Sequence, residues 1–97
     1  MLSGKQTRYL RSLAHSLRPI FQVGKGGVSS TMIDQLSLAL EKRELIKVSV
    51  LQNADESIED AANIIATGTK AEIVQLIGRT IILFRPSTEN KTIELPR

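Results

Sequence analysis

Four consecutive apolar residues, Ile81-Ile82-Leu83-Phe84, stand just beyond the dipeptide Gly78-Arg79, and that dipeptide closes a second β-rich run from Ala71 to Ile77. A strand that is apolar at every position is buried on both faces, which places it in the centre of a sheet. Glycine at the first position of a two-residue connection is the type II′ hairpin signal, so the two runs are expected to pair as antiparallel neighbours. The rest of the fold has to be arranged around this hairpin.

Upstream, helix and strand alternate. Ser3 is a suitable N-cap for a first helix, whose Leu10, Leu13 and Leu17 recur at helical spacing with Ala14 and Tyr9 flanking the stripe. At about 100° per residue, these leucines lie roughly opposite Lys5, Arg8, Arg11 and His15, so the basic face points away from the core. Pro19 disfavours helix at the residue before it and ends the segment. Ile20 to Val23 form a short strand, broken by Gly24-Lys25-Gly26-Gly27. Ser29 or Ser30 then caps a second helix carrying Met32, Ile33, Leu36, Ala39 and Leu40, with its end near Arg43. Ile46, Val48 and Val50 alternate with Lys47 and Ser49, the pattern of a half-buried strand. Ser57 caps a third helix with Ile58, Ala61, Ala62 and Ile65 inward, and Gly68 is its expected C-terminal stop.

Strands joined by helices run parallel through right-handed crossovers, and the final strand turns back. The expected architecture is therefore a two-layer α/β domain in the order α-β-α-β-α-β-β. Its mixed four-stranded sheet has the order 1-2-4-3 and an antiparallel last strand. The second and third helices cover one face, and the first is left to pack elsewhere. Residues 1–97 read as one domain, with a loosely packed tail over 87–97 where patterning fades. A chain of this length supports one core and no enclosed substrate chamber.

Composition removes several function classes. The absence of cysteine excludes disulfides, thiolate metal sites and cysteine nucleophiles, and is compatible with a reducing compartment. No apolar run approaches the ~20 residues of a membrane span. Charges interrupt every apolar stretch near the N-terminus, so a cytoplasmic protein without a secretory signal is expected. The sole histidine, His15, lies among Arg8, Arg11 and Arg18 in sequence and is a poor general base, which argues against an enzyme. Asp55, Glu56, Glu59 and Asp60 lack calcium-loop spacing; they suit the dipole at the start of the third helix and would repel nucleic acid from that side. No metal and no cofactor is expected.

The net charge of +3 is unevenly distributed. Residues 1–28 hold Lys5, Arg8, Arg11, Arg18 and Lys25 and no acid, whereas residues 29–72 carry a net charge of −4. This asymmetry suits an oriented anionic partner. At the strand-to-helix junction, Gly24, Gly26 and Gly27 allow positive φ and close backbone approach, and Lys25 adds a mobile charge. The spacing is neither that of a triphosphate loop nor that of a dinucleotide fold. A short G-x-x-G that clamps backbone phosphates does occur in modules for single-stranded RNA.

Taken in order, Leu13-Ala14, Leu17-x-Pro19, Val23-Gly24-Lys25-x-Gly27-Val28, Ala39-Leu40, Glu44-Leu45-Ile46-Lys47-Val48, Ile77-Gly78 and Leu83-Phe84-Arg85-Pro86 resemble the CRM domain (chloroplast RNA splicing and ribosome maturation) in its stand-alone bacterial YhbY-like form. The resemblance covers nearly the whole chain. It implies a fold similar to the C-terminal domain of bacterial translation initiation factor three, RNA as partner, and association with precursors of the large ribosomal subunit. The family's G-x-x-G loop maps onto Gly24, Lys25, Gly26 and Gly27, with glycine filling the variable slot at position 26.

The reading that follows is a non-enzymatic, monomeric RNA-binding protein with no membrane or small-molecule partner. Gly24, Gly26 and Gly27 shape the loop, Lys25 meets phosphate, and Lys5, Arg8, Arg11 and Arg18 extend the positive track. Lys47, Arg79 and Arg85 are second-rank candidates. With only Phe21, Phe84 and Tyr9 as aromatics, phosphate and shape are read in preference to bases. The alternative is a module that docks its basic helix on a ribosomal protein or assembly factor.

Overall fold

The computed structural model describes residues 1–97. Seven elements follow one another as α1 (Gly4–Ala14), β1 (Pro19–Val23), α2 (Ser30–Arg43), β2 (Leu45–Val50), α3 (Ile58–Thr69), β3 (Glu72–Ile77) and β4 (Thr80–Phe84). The sheet order is β1-β2-β4-β3; β1 and β2 are parallel, and β4 is antiparallel to both of its neighbours. This is the expected order, with the all-apolar β4 inside the sheet. Gly78 has φ +56° and Arg79 does not enter the left-handed region, as a type II′ connection requires.

Local chemistry sets the helix starts. Ser3 and Gln6 form a capping box, while Ser29 and Ser57 each accept a backbone N–H from three residues on, Met32 and Asp60 respectively, at 3.1 Å. Each hydroxyl satisfies a donor that the first helical turn leaves without an intrahelical partner.

Alternation along β2 and β4 divides the core in two. Ile46, Val48, Val50, Ile81 and Leu83 meet Leu36 and Leu40 of α2 and Ala61, Ala62 and Ile65 of α3. On the other face Leu45, Ile82 and Phe84 meet Leu10 and Ala14 of α1. The first helix is thus committed to the face opposite α2 and α3, which adds a partial third layer to the two expected. Every side chain of β4 from Ile81 to Phe84 is buried because both of these layers press on it.

Two local expectations change. Gly68 does not stop α3; it lies in the last helical turn, where a Cβ would come within 2.9 Å of the Ile33 side chain. Its smallness lets α2 and α3 approach, and Lys70 takes the left-handed C-cap position instead, with φ +60°. The segment 87–97 contains no helix or strand, but it is fastened in place, contrary to the loose packing expected. Buried Glu44 accepts backbone N–H groups from Ser87, Thr92 and Ile93, each at 2.8 Å, and the Thr92 hydroxyl at 3.2 Å. Glu41 accepts the Ser87 hydroxyl and the Thr88 and Glu89 N–H groups. Ile93 and Leu95 then pack on the α1 side of the core. Weak patterning hid this anchorage because the tail is held through its backbone, by two carboxylates from a distant helix end.

Candidate functional site

The parallel pairing of β1 and β2 brings the connections that follow them to the same end of the sheet. In the first connection, the Gly27 N–H donates to the Gly24 carbonyl at 3.0 Å, closing a turn with Lys25 exposed at its tip. Gly26 and Gly27 have φ +94° and +72°, conformations that side-chain-bearing residues rarely adopt. The Lys25 and Gly26 N–H groups have no acceptor within the protein, and both residues are exposed ahead of α2. A loop of this kind, with backbone donors, a mobile ammonium and a helix N-terminus, can hold the oxygens of a phosphate.

The second connection supplies an element that sequence reading assigned elsewhere. Glu56, expected to serve the α3 dipole, reaches across to the glycine loop, and its Oε2 accepts the Val28 N–H at 3.2 Å. The same carboxylate lies against Gly27, where any Cβ would collide with it. Its Oε1 is buried and has no hydrogen-bond partner. Nothing in the local sequence announces a contact across 28 positions; its only trace is the glycine at 27.

The candidate basic residues fall into two sets; outside them, Lys42, Arg43, Lys70, Lys91 and Arg97 are exposed. Lys5, Arg8 and Arg11 are exposed on α1, Arg18 is exposed just before β1, and Lys25 is exposed just after it. None of the five makes a side-chain hydrogen bond or an ion pair, and the sole ion pair of the molecule joins the N-terminal amine to Glu72 at 3.4 Å. His15, at the C-cap of α1, is likewise exposed.

The second-rank candidates are engaged internally. Arg79 donates to the Val50 and Leu51 carbonyls at 2.7 and 2.8 Å, tying the hairpin to the end of β2. Arg85 donates to the Ser37 hydroxyl and carbonyl and to the Thr69 carbonyl, all within 2.9 Å, and so joins α2 to the end of α3. Lys47 donates to the Leu17 carbonyl at 3.1 Å and holds the turn after α1.

The fold does not gather these five cations at one point. Lys25 follows the end of β1 at the glycine loop, and Arg18 precedes its beginning, so the five residues of the strand, roughly 17 Å long, lie between them. Between them a shallow groove of about 600 Å³ runs beside β1, lined by Arg18, Pro19, Ile20, Phe21, Gln22 and Ser49. No group of three or more His, Asp or Glu side chains is placed to hold a metal ion, and no helix is long and apolar enough to cross a membrane.

These features define a small α/β domain with a glycine loop at one end of its sheet and an unpaired cationic helix on one face. The chain belongs to the CRS1 / YhbY (CRM) domain family, whose model matches residues 2–85. It is 60% identical over 96 residues to the Bacillus subtilis protein named Probable RNA-binding protein YqeI, covering 99% of this chain and 100% of that one. It is 42% identical over 96 residues to a Haemophilus influenzae protein named RNA-binding protein, covering 99% and 96% of the two chains. The solution structure of the hypothetical protein SAV1595 from Staphylococcus aureus superposes with a TM-score of 0.81 at 55% identity, over 99% of this chain and 100% of that one.

Proposed function

We propose that this protein binds RNA through the Gly24–Gly27 loop and the cations of its first 28 residues, and that its target is ribosomal RNA in precursors of the large subunit during assembly. The observation that carries the reading is that every cation of the acid-free first 28 residues is exposed and unpaired. Lys47, Arg79 and Arg85 hold the fold together, whereas Lys5, Arg8, Arg11, Arg18 and Lys25 are exposed and have no internal partner. Free cations beside backbone donors attract a polyanion, and the names carried by the relatives support RNA as that polyanion.

In this reading the Lys25 ammonium and the Lys25 and Gly26 N–H groups take phosphate oxygens at the loop. The strand continues along the β1 groove to Arg18 and then over α1. Base stacking contributes little: Phe84 is buried, Phe21 is half-buried, and only Tyr9 exposes as much as 37% of its surface. Readout rests on phosphates and shape, which makes affinity strongly salt-dependent and weakly sequence-dependent. The ribosomal target is the narrower part of the proposal and follows from the family resemblance.

The test is sedimentation of the wild-type protein and a Lys25→Ala, Arg8→Ala double variant with ribosomal particles across a salt series. Co-migration with large-subunit precursors is expected for wild type, falling steeply with salt, and is expected to be lost in the variant. Equal, salt-insensitive and ribonuclease-resistant co-migration of both proteins would replace RNA contact with docking on a ribosomal protein.

A further inference from the structure

Glu56 is the one carboxylate that touches the glycine loop, and its placement is at odds with a loop built for anions. A negative group beside a phosphate site opposes the ligand, yet here the half-buried Glu56 lies against Gly27 and Val28 with one oxygen buried and unpartnered. Carboxylates that only fasten backbone can be saturated, as Glu44 is with three N–H groups and a hydroxyl. An unpartnered buried oxygen is costly and calls for an explanation beyond packing.

We infer that Glu56 is a positioning residue of the phosphate-binding loop that also restrains how tightly the loop holds its anion, an inference that rests on the RNA-binding reading above. Two physical effects are combined in one side chain. The bond from Val28 N–H to Oε2 braces the loop from the neighbouring connection, so the left-handed Gly26-Gly27 backbone is held ready before any ligand arrives. Bracing from this side is open only to glycine at 27, since a Cβ there would displace the carboxylate. The charge, meanwhile, sits against Val28 and Gly27, next in sequence to the Lys25 and Gly26 amides, and lowers the affinity for a phosphate held there at low salt, where screening is weak. A site that binds phosphates without base readout gains from such a restraint, because a partner met at many positions must also be released.

The experiment measures binding of a short oligouridylate to wild type, Glu56→Gln, Glu56→Ala and Lys25→Ala proteins over a salt series. The near-isosteric Glu56→Gln keeps an acceptor for Val28 and removes the charge. It is expected to tighten binding about threefold near 50 mM salt, with the gain vanishing towards 0.5 M as screening shortens the range of the charge. Glu56→Ala removes brace and charge together and is expected to bind more weakly than Glu56→Gln at every salt concentration. A salt-independent change in Glu56→Gln, or none, alongside weakened Lys25→Ala would overturn the restraint and leave the RNA reading intact. Equal affinities of the Gln and Ala variants would overturn the brace. Unchanged binding in Lys25→Ala would remove the loop as the RNA site, and this inference with it. Amide exchange at Val28, preserved in Glu56→Gln and accelerated in Glu56→Ala, reports the brace independently of RNA.

Discussion

Arg85 and Arg18 carry the same side chain into opposite circumstances. The Arg85 guanidinium is half-buried and engaged three times over by Ser37 and Thr69, whereas Arg18 projects from the start of β1 and meets no partner. The same contrast separates Arg79 from Lys25 at the other end of the sheet. Internally held cations donate chiefly to backbone carbonyls, so they keep their positive charge while acting as struts. The chain's modest net charge therefore understates what a polyanion meets, since the external cations are neither neutralised nor immobilised.

The contrast is broken most severely by removing one whole set. A Lys5→Ala, Arg8→Ala, Arg11→Ala, Arg18→Ala protein is expected to lose RNA affinity by on the order of 100-fold at low salt, and the slope of log affinity against log salt should shrink by about 3. Its thermal unfolding should stay close to wild type, because exposed substitutions of this kind each fall within about 0.5 kcal/mol. A large loss of stability would place these side chains among the struts. Arg85→Ala should behave in the reverse sense, losing about 2–3 kcal/mol of stability in urea titration because three hydrogen bonds are lost and the link between α2 and the Thr69 carbonyl goes with them. RNA affinity of its folded fraction is expected to stay unchanged. Arg79→Ala is a milder case of the same kind, at about 1–2 kcal/mol, since two carbonyls at the end of β2 lose their donor. The smallest effect belongs to Lys25→Ala, with a few-fold loss of affinity, similar across RNA sequences, and a salt slope reduced by about 0.7. An unchanged slope would show that its ammonium does not meet phosphate.

Acid sharpens the comparison from the side of the anions. The Ser87 hydroxyl and the Glu89 and Thr88 N–H groups hold the Glu41 carboxyl down at about 2, from an ordinary value of 4.5. Burial works against the Glu44 carboxylate, but N–H donation from Ser87, Ile93 and Thr92 outweighs it and leaves that group lowered as well. Both folded-state values lie below the unfolded one, so the stabilisation is complete above about pH 4.5 and is lost in acid, for Glu41 as pH falls towards 2. Hydrogen exchange at Thr88 and Glu89, whose N–H groups Glu41 holds, is therefore expected to remain protected at neutral pH. Relative to the β4 amides, that protection should fall away in this acid window. Tail amides that open no earlier than β4 would show that Glu41 does not control the segment.

The sheet was legible because its signals are local. Gly78-Arg79, the unbroken apolar run of β4 and the alternation in β2 each carry their meaning within a few residues, and the serine caps do so within a single turn. Gly68 is ambiguous in the sequence because glycine near a helix end serves equally as a stop or as a place of close approach, and only the partner Ile33 distinguishes them. The tail and Glu56 were not legible. Both depend on carboxylates meeting backbone N–H groups 28 to 49 positions away, and a backbone donor has no letter of its own in a sequence. For the candidate site, the glycine loop and the acid-free segment were readable. The division of cations into struts and free charges was not, because lysine and arginine are written alike in either role.

One contact bears on how the domain can be joined to others. The Gln6 side-chain amide donates to the Pro96 carbonyl at 3.0 Å, so the beginning of α1 and the last residues of the chain lie side by side. The polypeptide enters and leaves on the same flank, like a bead threaded through two adjacent holes. A partner domain fused at either end would hang beside α1, and tandem copies could be strung on short connectors. Placing an affinity handle is then a choice about which surface to crowd: either end encroaches on the helix, and neither encroaches on the loop.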